Sequence, residues 1–127
     1  MALVPRAYDT CLEPLVRGFR RAGMELAAPE PGWRVLDVGC GTGTHLERYA
    51  DAGCRVTGID LNPDMVARAR RRLGPDADLR EGDATVLPFP DDSFDLAIGM
   101  LILAEMAPDD RTAVLAEMAR VAHRVLI

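Results

Sequence analysis

Val35-Leu36-Asp37-Val38-Gly39-Cys40-Gly41-Thr42-Gly43-Thr44 runs from a short aliphatic segment straight into glycines at alternate positions. The aliphatic part, from Trp33 to Val38, is bounded by turn residues and predicts a buried central strand. The glycines remove side chains from the strand-to-helix turn that follows, so that a ligand can approach bare backbone there. A second apolar run, Arg55 to Asp60, closes on Gly58-Ile59-Asp60 and sets a carboxylate at the end of the next strand. Two strands around a helix in this order form the ligand-binding half of an α/β nucleotide-type fold.

The flanking segments extend the same alternation. The helix opened by Gly43 is expected to run to about Ala52 and to stop at Gly53, where glycine accepts a left-handed conformation. Asn62-Pro63 reads as an N-cap followed by proline at the first helical position, opening a helix through Met65, Val66, Ala69 and Leu73 to Gly74. Its arginines Arg68, Arg70, Arg71 and Arg72 are expected to form a solvated face. A weak third strand covers Asp78 to Glu81, Gly82-Asp83 sits in a turn, and Phe94 to Met100 is a strongly apolar fourth strand. Pro108-Asp109-Asp110 is expected to cap a helix that turns Val114, Leu115, Met118 and Val121 inward. The last residues, Arg124 to Ile127, read as the beginning of a fifth strand. Upstream, Leu12, Leu15, Val16, Phe19, Met24 and Leu26 recur at helical spacing and predict one or two amphipathic helices, ended by the Pro29 to Gly32 cluster. Strands alternating with helices imply a parallel sheet with right-handed crossovers.

Composition narrows the classes. A chain of 127 residues, 49% of them hydrophobic, has room for one core, so a single domain over 1–127 is expected, with a helical segment over 1–32 and a binding core over 33–127. The formal charge of −5 argues against a protein that binds phosphate backbones, so nucleic acid is not an expected partner. Cys11, Cys40 and Cys54 form no Cys-x-x-Cys pair and suggest neither a disulfide framework nor zinc. His45 and His123 stand at no ligand spacing and read as surface or helix residues, so no metal is expected. A reducing cytoplasm fits this cysteine usage. No segment approaches the eighteen or so apolar residues of a spanning helix, so stable membrane insertion is not expected.

Four motifs in order carry a family resemblance: Val35 to Thr44, Gly58-Ile59-Asp60, Gly82-Asp83-Ala84, and Leu87-Pro88-Phe89-Pro90-Asp91-Asp92-Ser93-Phe94-Asp95. Together they resemble the class I S-adenosylmethionine-dependent methyltransferases, especially the group that methylates quinones and small molecules. The likeness spans roughly Trp33 to Val121. The glycine spacing separates it from dinucleotide binders, whose G-x-G-x-x-G would need glycine at position 44, where this chain has Thr44, with its third glycine one place early at Gly43. An NAD-dependent dehydrogenase is therefore the weaker reading, and a non-catalytic binding or assembly module of the same fold is a further alternative.

The resemblance implies a Rossmann-like three-layer sandwich with a mostly parallel sheet, and S-adenosyl-L-methionine as cofactor. It implies that Gly39, Cys40, Gly41 and Gly43 admit the methionine tail and that Asp37 helps to hold its ammonium, which is compatible in charge. Asp60 would grip the ribose hydroxyls, or else cap the next helix. Leu61 would pack on the adenine. Asp83 would accept from the adenine amino group, with the Ala84 N–H facing a ring nitrogen, or else be a plain turn aspartate. Met100 would line the methionine side, and Tyr8 would close over the cofactor or simply pack as a terminal aromatic. The Pro88 to Asp92 loop reads as architectural. Many relatives carry a histidine after strand four; this chain has Ala104-Glu105, and no catalytic base is named. The acceptor is expected to be a small or lipid-like molecule, methylated by in-line displacement. Family members have seven strands, so the sheet is expected to be C-terminally incomplete, with about five of seven. Its open edge invites a homodimer.

Overall fold

The computed structural model describes residues 28–99 and 102–127. The helices expected upstream of Ala28 lie outside the described residues. Five strands form one sheet: β1 (Arg34–Val38), β2 (Arg55–Asp60), β3 (Asp78–Glu81), β4 (Phe94–Ile98) and β5 (Ala122–Leu126). Their order is β3-β2-β1-β4-β5 and every pairing is parallel. The chain builds outward from β1 through β2 to β3, then crosses back to lay β4 on the other side of β1. The carboxyl ends of β1 and β4 therefore face loops that leave in opposite directions, which is where open α/β sheets form their ligand crevice.

Period two along β1 separates the two cores. Val35 packs with Leu46, Tyr49, Val56, Val66 and Ala69 beneath α1 (Thr44–Asp51) and α2 (Pro63–Leu73). Leu36 and Val38 pack on the opposite face with Val114, Met118 and Val121 of α3 (Pro108–Val121). Helices on both faces of a parallel sheet make a Rossmann-like three-layer α/β fold, and they explain why the strand is buried on both sides.

Local chemistry sets most of the boundaries. Asn62 accepts from the Asp64 N–H at 2.9 Å, Pro63 occupies the first turn of α2, and Gly74 at φ +78° ends it. Gly53, at φ +88°, closes α1 as expected, its N–H donating to the Ala50 carbonyl.

Four expectations are corrected. β5 is a five-residue strand that begins at Ala122, in register with β4 from Phe94 to Ile98, rather than one begun at Arg124. Its first residues carry little apolar signal, and the pairing with β4 is what makes them strand. Leu115 is 40% exposed, because the inward line of α3 runs through Val114, Met118 and Val121, and Leu115 stands about 100° away from it. Asp109 and Asp110 do not cap α3 by hydrogen bonding: the N-cap is Ala107, Pro108 begins the helix, and the two acids lie in its first turn, where they oppose the positive helix end. The arginines of α2 are not merely solvated, since Arg70 donates to the Leu79 carbonyl at 3.0 Å and Arg72 to the Thr42 carbonyl at 3.0 Å. In addition, His45 is buried within α1, stacked obliquely against Tyr49, while His123 is exposed on β5.

Candidate cofactor site

The glycine turn is held by its own backbone and by the end of β2. The N–H groups of Gly39 and Cys40 both donate to the Ile59 carbonyl, at 2.8 and 3.1 Å, and Gly43 N–H donates to the Cys40 carbonyl at 3.0 Å. Cys40 thus uses its backbone to keep the turn closed. Its side chain is buried against Gly58, where an added Cβ would lie 2.9 Å from the sulfur. Burial, with the nearby Asp37 and Asp60 charges, pushes the Cys40 thiol far above its ordinary range.

The three glycines serve different neighbours. Gly43 is the N-cap of α1 at φ +83°, and a Cβ there would meet Leu73 and Ala69 of α2 at 3.1 and 3.3 Å. A Cβ on Gly39 would run into Ile102 at 2.8 Å. Among the described residues, Gly41 alone of the three has nothing within 4 Å of an added Cβ. Arg72 grips the turn from behind through the Thr42 carbonyl, a restraint that lies thirty positions away in sequence and left no local signal.

Asp60, at the carboxyl end of β2, faces Gly41. Its Oδ2 accepts from Gly41 N–H at 2.9 Å and its Oδ1 from Asn62 N–H at 2.9 Å. Asn62, not Asp60, caps α2, so the helix-cap alternative for Asp60 is set aside. Each carboxylate oxygen has further acceptor capacity beyond its one backbone donor. Leu61, next along, is 65% exposed.

Gly82 ties the third segment to the second, its N–H donating to the Asp60 carbonyl at 3.0 Å. Asp83 follows in an exposed turn, where Oδ1 accepts from both the N–H and the hydroxyl of Thr85, at 2.9 and 2.8 Å. Those two bonds hold its carboxyl below the usual range. Ala84 is buried. Asp37 is 3% exposed and, two residues on from Val35 along β1, shares its face, so it sits beneath the turn on the α1–α2 side. The glycine turn, Asp60 and Asp83 therefore lie at the carboxyl ends of adjacent strands and are joined by main-chain bonds. Tyr8 and Met100 lie outside the described residues.

Residues 35–124 match the family described as "Methyltransferase domain". The chain belongs to this family. The methyltransferase domain is 41% identical over 122 residues to a demethylmenaquinone methyltransferase of Beutenbergia cavernae, covering 93% of this chain and 50% of the relative. It is 42% identical over 98 residues to a phosphatidylethanolamine N-methyltransferase of Cereibacter sphaeroides, covering 73% and 47%. Among solved structures it resembles a TehB-like SAM-dependent methyltransferase from Corynebacterium glutamicum, with a TM-score of 0.75 and 26% identity, over 93% of this chain and 66% of that one. The chain spans about half the length of the two sequence relatives.

Proposed function

We propose that residues 33–127 form the cofactor-binding core of an S-adenosyl-L-methionine-dependent methyltransferase whose acceptor is a small or lipid-like molecule. The observation that carries this reading is the pairing of Asp60 with Gly41: a carboxylate 2.9 Å from the N–H of a turn glycine whose added Cβ would meet none of the described residues within 4 Å. A nucleoside whose ribose hydroxyls donate to Asp60 passes its tail along the Gly39 to Gly43 backbone, with no side chain of Gly41 in its way. Asp37 supplies negative charge beneath the turn for the tail's ammonium. Leu61 offers an exposed apolar face, and Asp83 with the Ala84 N–H offers an acceptor and a donor, which is the pattern an adenine edge presents in reverse. Once bound, the sulfonium supplies an electrophilic methyl carbon, and the chain's part is to hold donor and acceptor in line and exclude water.

The lipid-like acceptor is supported by the demethylmenaquinone and phosphatidylethanolamine methyltransferases among the relatives. No helix among the described residues is long and apolar enough to cross a membrane, which suits an enzyme that meets such an acceptor at a surface. We place it in the cytoplasm on its cysteine usage. Calorimetric titration with S-adenosylmethionine, S-adenosylhomocysteine and NADH tests the cofactor. Binding of the first two and not of NADH is expected; the reverse pattern overturns the reading, and heat from none of the three favours an assembly module. Incubation with tritiated methyl donor and cell extract, fractionated into lipid, protein and small-molecule pools, then tests the acceptor, with label expected in the lipid or small-molecule pool.

A further inference from the structure

The best-connected side-chain cluster among the described residues lies away from the glycine turn. Arg120, on the last turn of α3, donates to the Phe89 carbonyl at 2.8 Å, the Leu87 carbonyl at 3.1 Å and the Asp91 carboxylate at 2.9 Å. It also forks onto Glu117, Nε to Oε1 at 2.8 Å and Nη2 to Oε2 at 3.0 Å. Glu117 Oε2 in turn accepts from the Leu87 N–H at 2.7 Å. Both main-chain polar groups of Leu87 are therefore held by α3. The main chain joins in, with Asp92 N–H donating to the Arg120 carbonyl at 3.1 Å.

What is held explains why it matters. Leu87 immediately follows the turn Asp83–Val86, which is closed by Val86 N–H on the Asp83 carbonyl at 3.2 Å and by Thr85 on the Asp83 carboxylate. At its other end the turn is tied to the ribose-side acid by Gly82 N–H on the Asp60 carbonyl. One end is thus hydrogen-bonded to the sheet; the other is hydrogen-bonded to α3 through Leu87, and just beyond it Arg80 of β3 donates to the Pro88 carbonyl at 3.4 Å. Ala84 and Leu87 pack in the core with Leu36, Val38 and Ile59, whereas Thr85 is half-buried and Val86 is 73% exposed, so packing seats the two buried side chains and the hydrogen bonds from α3 fix the main-chain polar groups that follow the turn. Arg120 suits the task because a planar guanidinium reaches several acceptors in fixed directions, which a lysine ammonium does not reproduce.

We propose that Arg120, with Glu117, is a positioning residue for base recognition: it sets the Asp83–Ala84 turn at the distance from Asp60 that an adenine requires. This rests on the adenosyl cofactor reading above. Neither residue touches the base. Their effect is on which base the turn accepts, not on binding in general.

Base selectivity is therefore the readout. Calorimetry with S-adenosylhomocysteine and with S-inosylhomocysteine, which has an oxo group in place of the 6-amino group, gives the preference for adenine directly. Wild type is expected to prefer the adenosyl compound by about tenfold or more, the worth of one well-placed hydrogen bond. Arg120→Met is expected to weaken the adenosyl compound by about that factor and leave the inosyl compound within about threefold of wild type, so that the preference largely vanishes. Arg120→Lys should fall between. Glu117→Gln, which keeps the shape of the pair, repeats the test if Arg120→Met does not fold.

Parallel loss of both affinities, or an unchanged preference at a lower melting temperature, makes the cluster a plain structural clamp and overturns the proposal. Equal affinity of wild type for the two compounds overturns it while leaving the cofactor reading intact. Failure of wild type to bind either compound overturns both.

Discussion

Gly41 and Gly43 look alike in the sequence and differ in what surrounds them, so substitutions at the two should separate ligand binding from stability. Both carry positive φ, and alanine at either costs about 1–2 kcal/mol of backbone strain. Gly43→Ala adds a clash with Ala69 and Leu73 of α2, whereas Gly41→Ala adds a methyl that meets none of the described residues within 4 Å. Gly43→Ala is therefore expected to lower the melting temperature more, and Gly41→Ala to lose more cofactor affinity per degree of stability lost. Melting curves and calorimetry on the two variants decide it, and equal losses on both measures would refute the division of roles. Asp60→Ala belongs to the same scale. It leaves the Gly41 and Asn62 N–H groups without their acceptor and removes the proposed ribose acceptor, at about 1.5–3 kcal/mol for a bond to a charged group. A fall of roughly 10- to 150-fold in S-adenosylhomocysteine affinity is expected by calorimetry.

At the level of elements, α3 gives the sharpest contrast. Val114 is fully buried and Leu115 is 40% exposed, so Val114→Ala is expected to cost about 1.5–3 kcal/mol in urea unfolding while Leu115→Gln stays within about 0.5. The opposite ranking would mean that the helix is rotated about its axis. The inward assignment of Leu115 from sequence shows where pattern reading stops: an apolar residue beside the buried line of a helix looks the same as one on it until the sheet's position is known. α2 was legible from end to end because Asn62, Pro63 and Gly74 act on their immediate neighbours. β5 was not, because Ala122-His123-Arg124 becomes strand through pairing with β4. The site divides in the same way. Gly41, Asp60 and Asp83 announce themselves at strand ends, whereas Arg72, Glu117 and Arg120 act on carbonyls and N–H groups about thirty residues away and leave no local trace.

Across the whole molecule, acid and alkali should each destabilise the fold through identifiable groups. Asp95, held first by the Arg34 side chain and then by the Arg34 N–H, and Glu117, held by Arg120 and the Leu87 N–H, both have carboxyls below their ordinary range, as does Asp83. A carboxyl lowered by folding contributes stability that is present above its unfolded value, near 4, and is lost as pH falls through the folded value. Two of these groups join distant parts of the chain: Asp95 links β4 to β1, and Glu117 links α3 to the loop after Asp83. Both pairs are partly exposed, so each is expected to contribute no more than about 1 kcal/mol. On the other side, burial raises the Cys40 thiol and pushes the Tyr49 hydroxyl up to about 12. In the unfolded chain these groups ionise at their ordinary values, about 8.5 and 10, so stability is kept up to the lower of these and declines above it. Urea unfolding from pH 3 to 10.5 should therefore show a plateau between about 5 and 8, with one falling limb on each side. Asp95→Asn with Glu117→Gln is expected to flatten the acid limb and leave the alkaline one, and Cys40→Ala to do the converse. An acid limb of unchanged slope in the double variant would remove these two ion pairs from the account, and with them the view that the strand ends and the loop after Asp83 are fastened by charge as well as by packing.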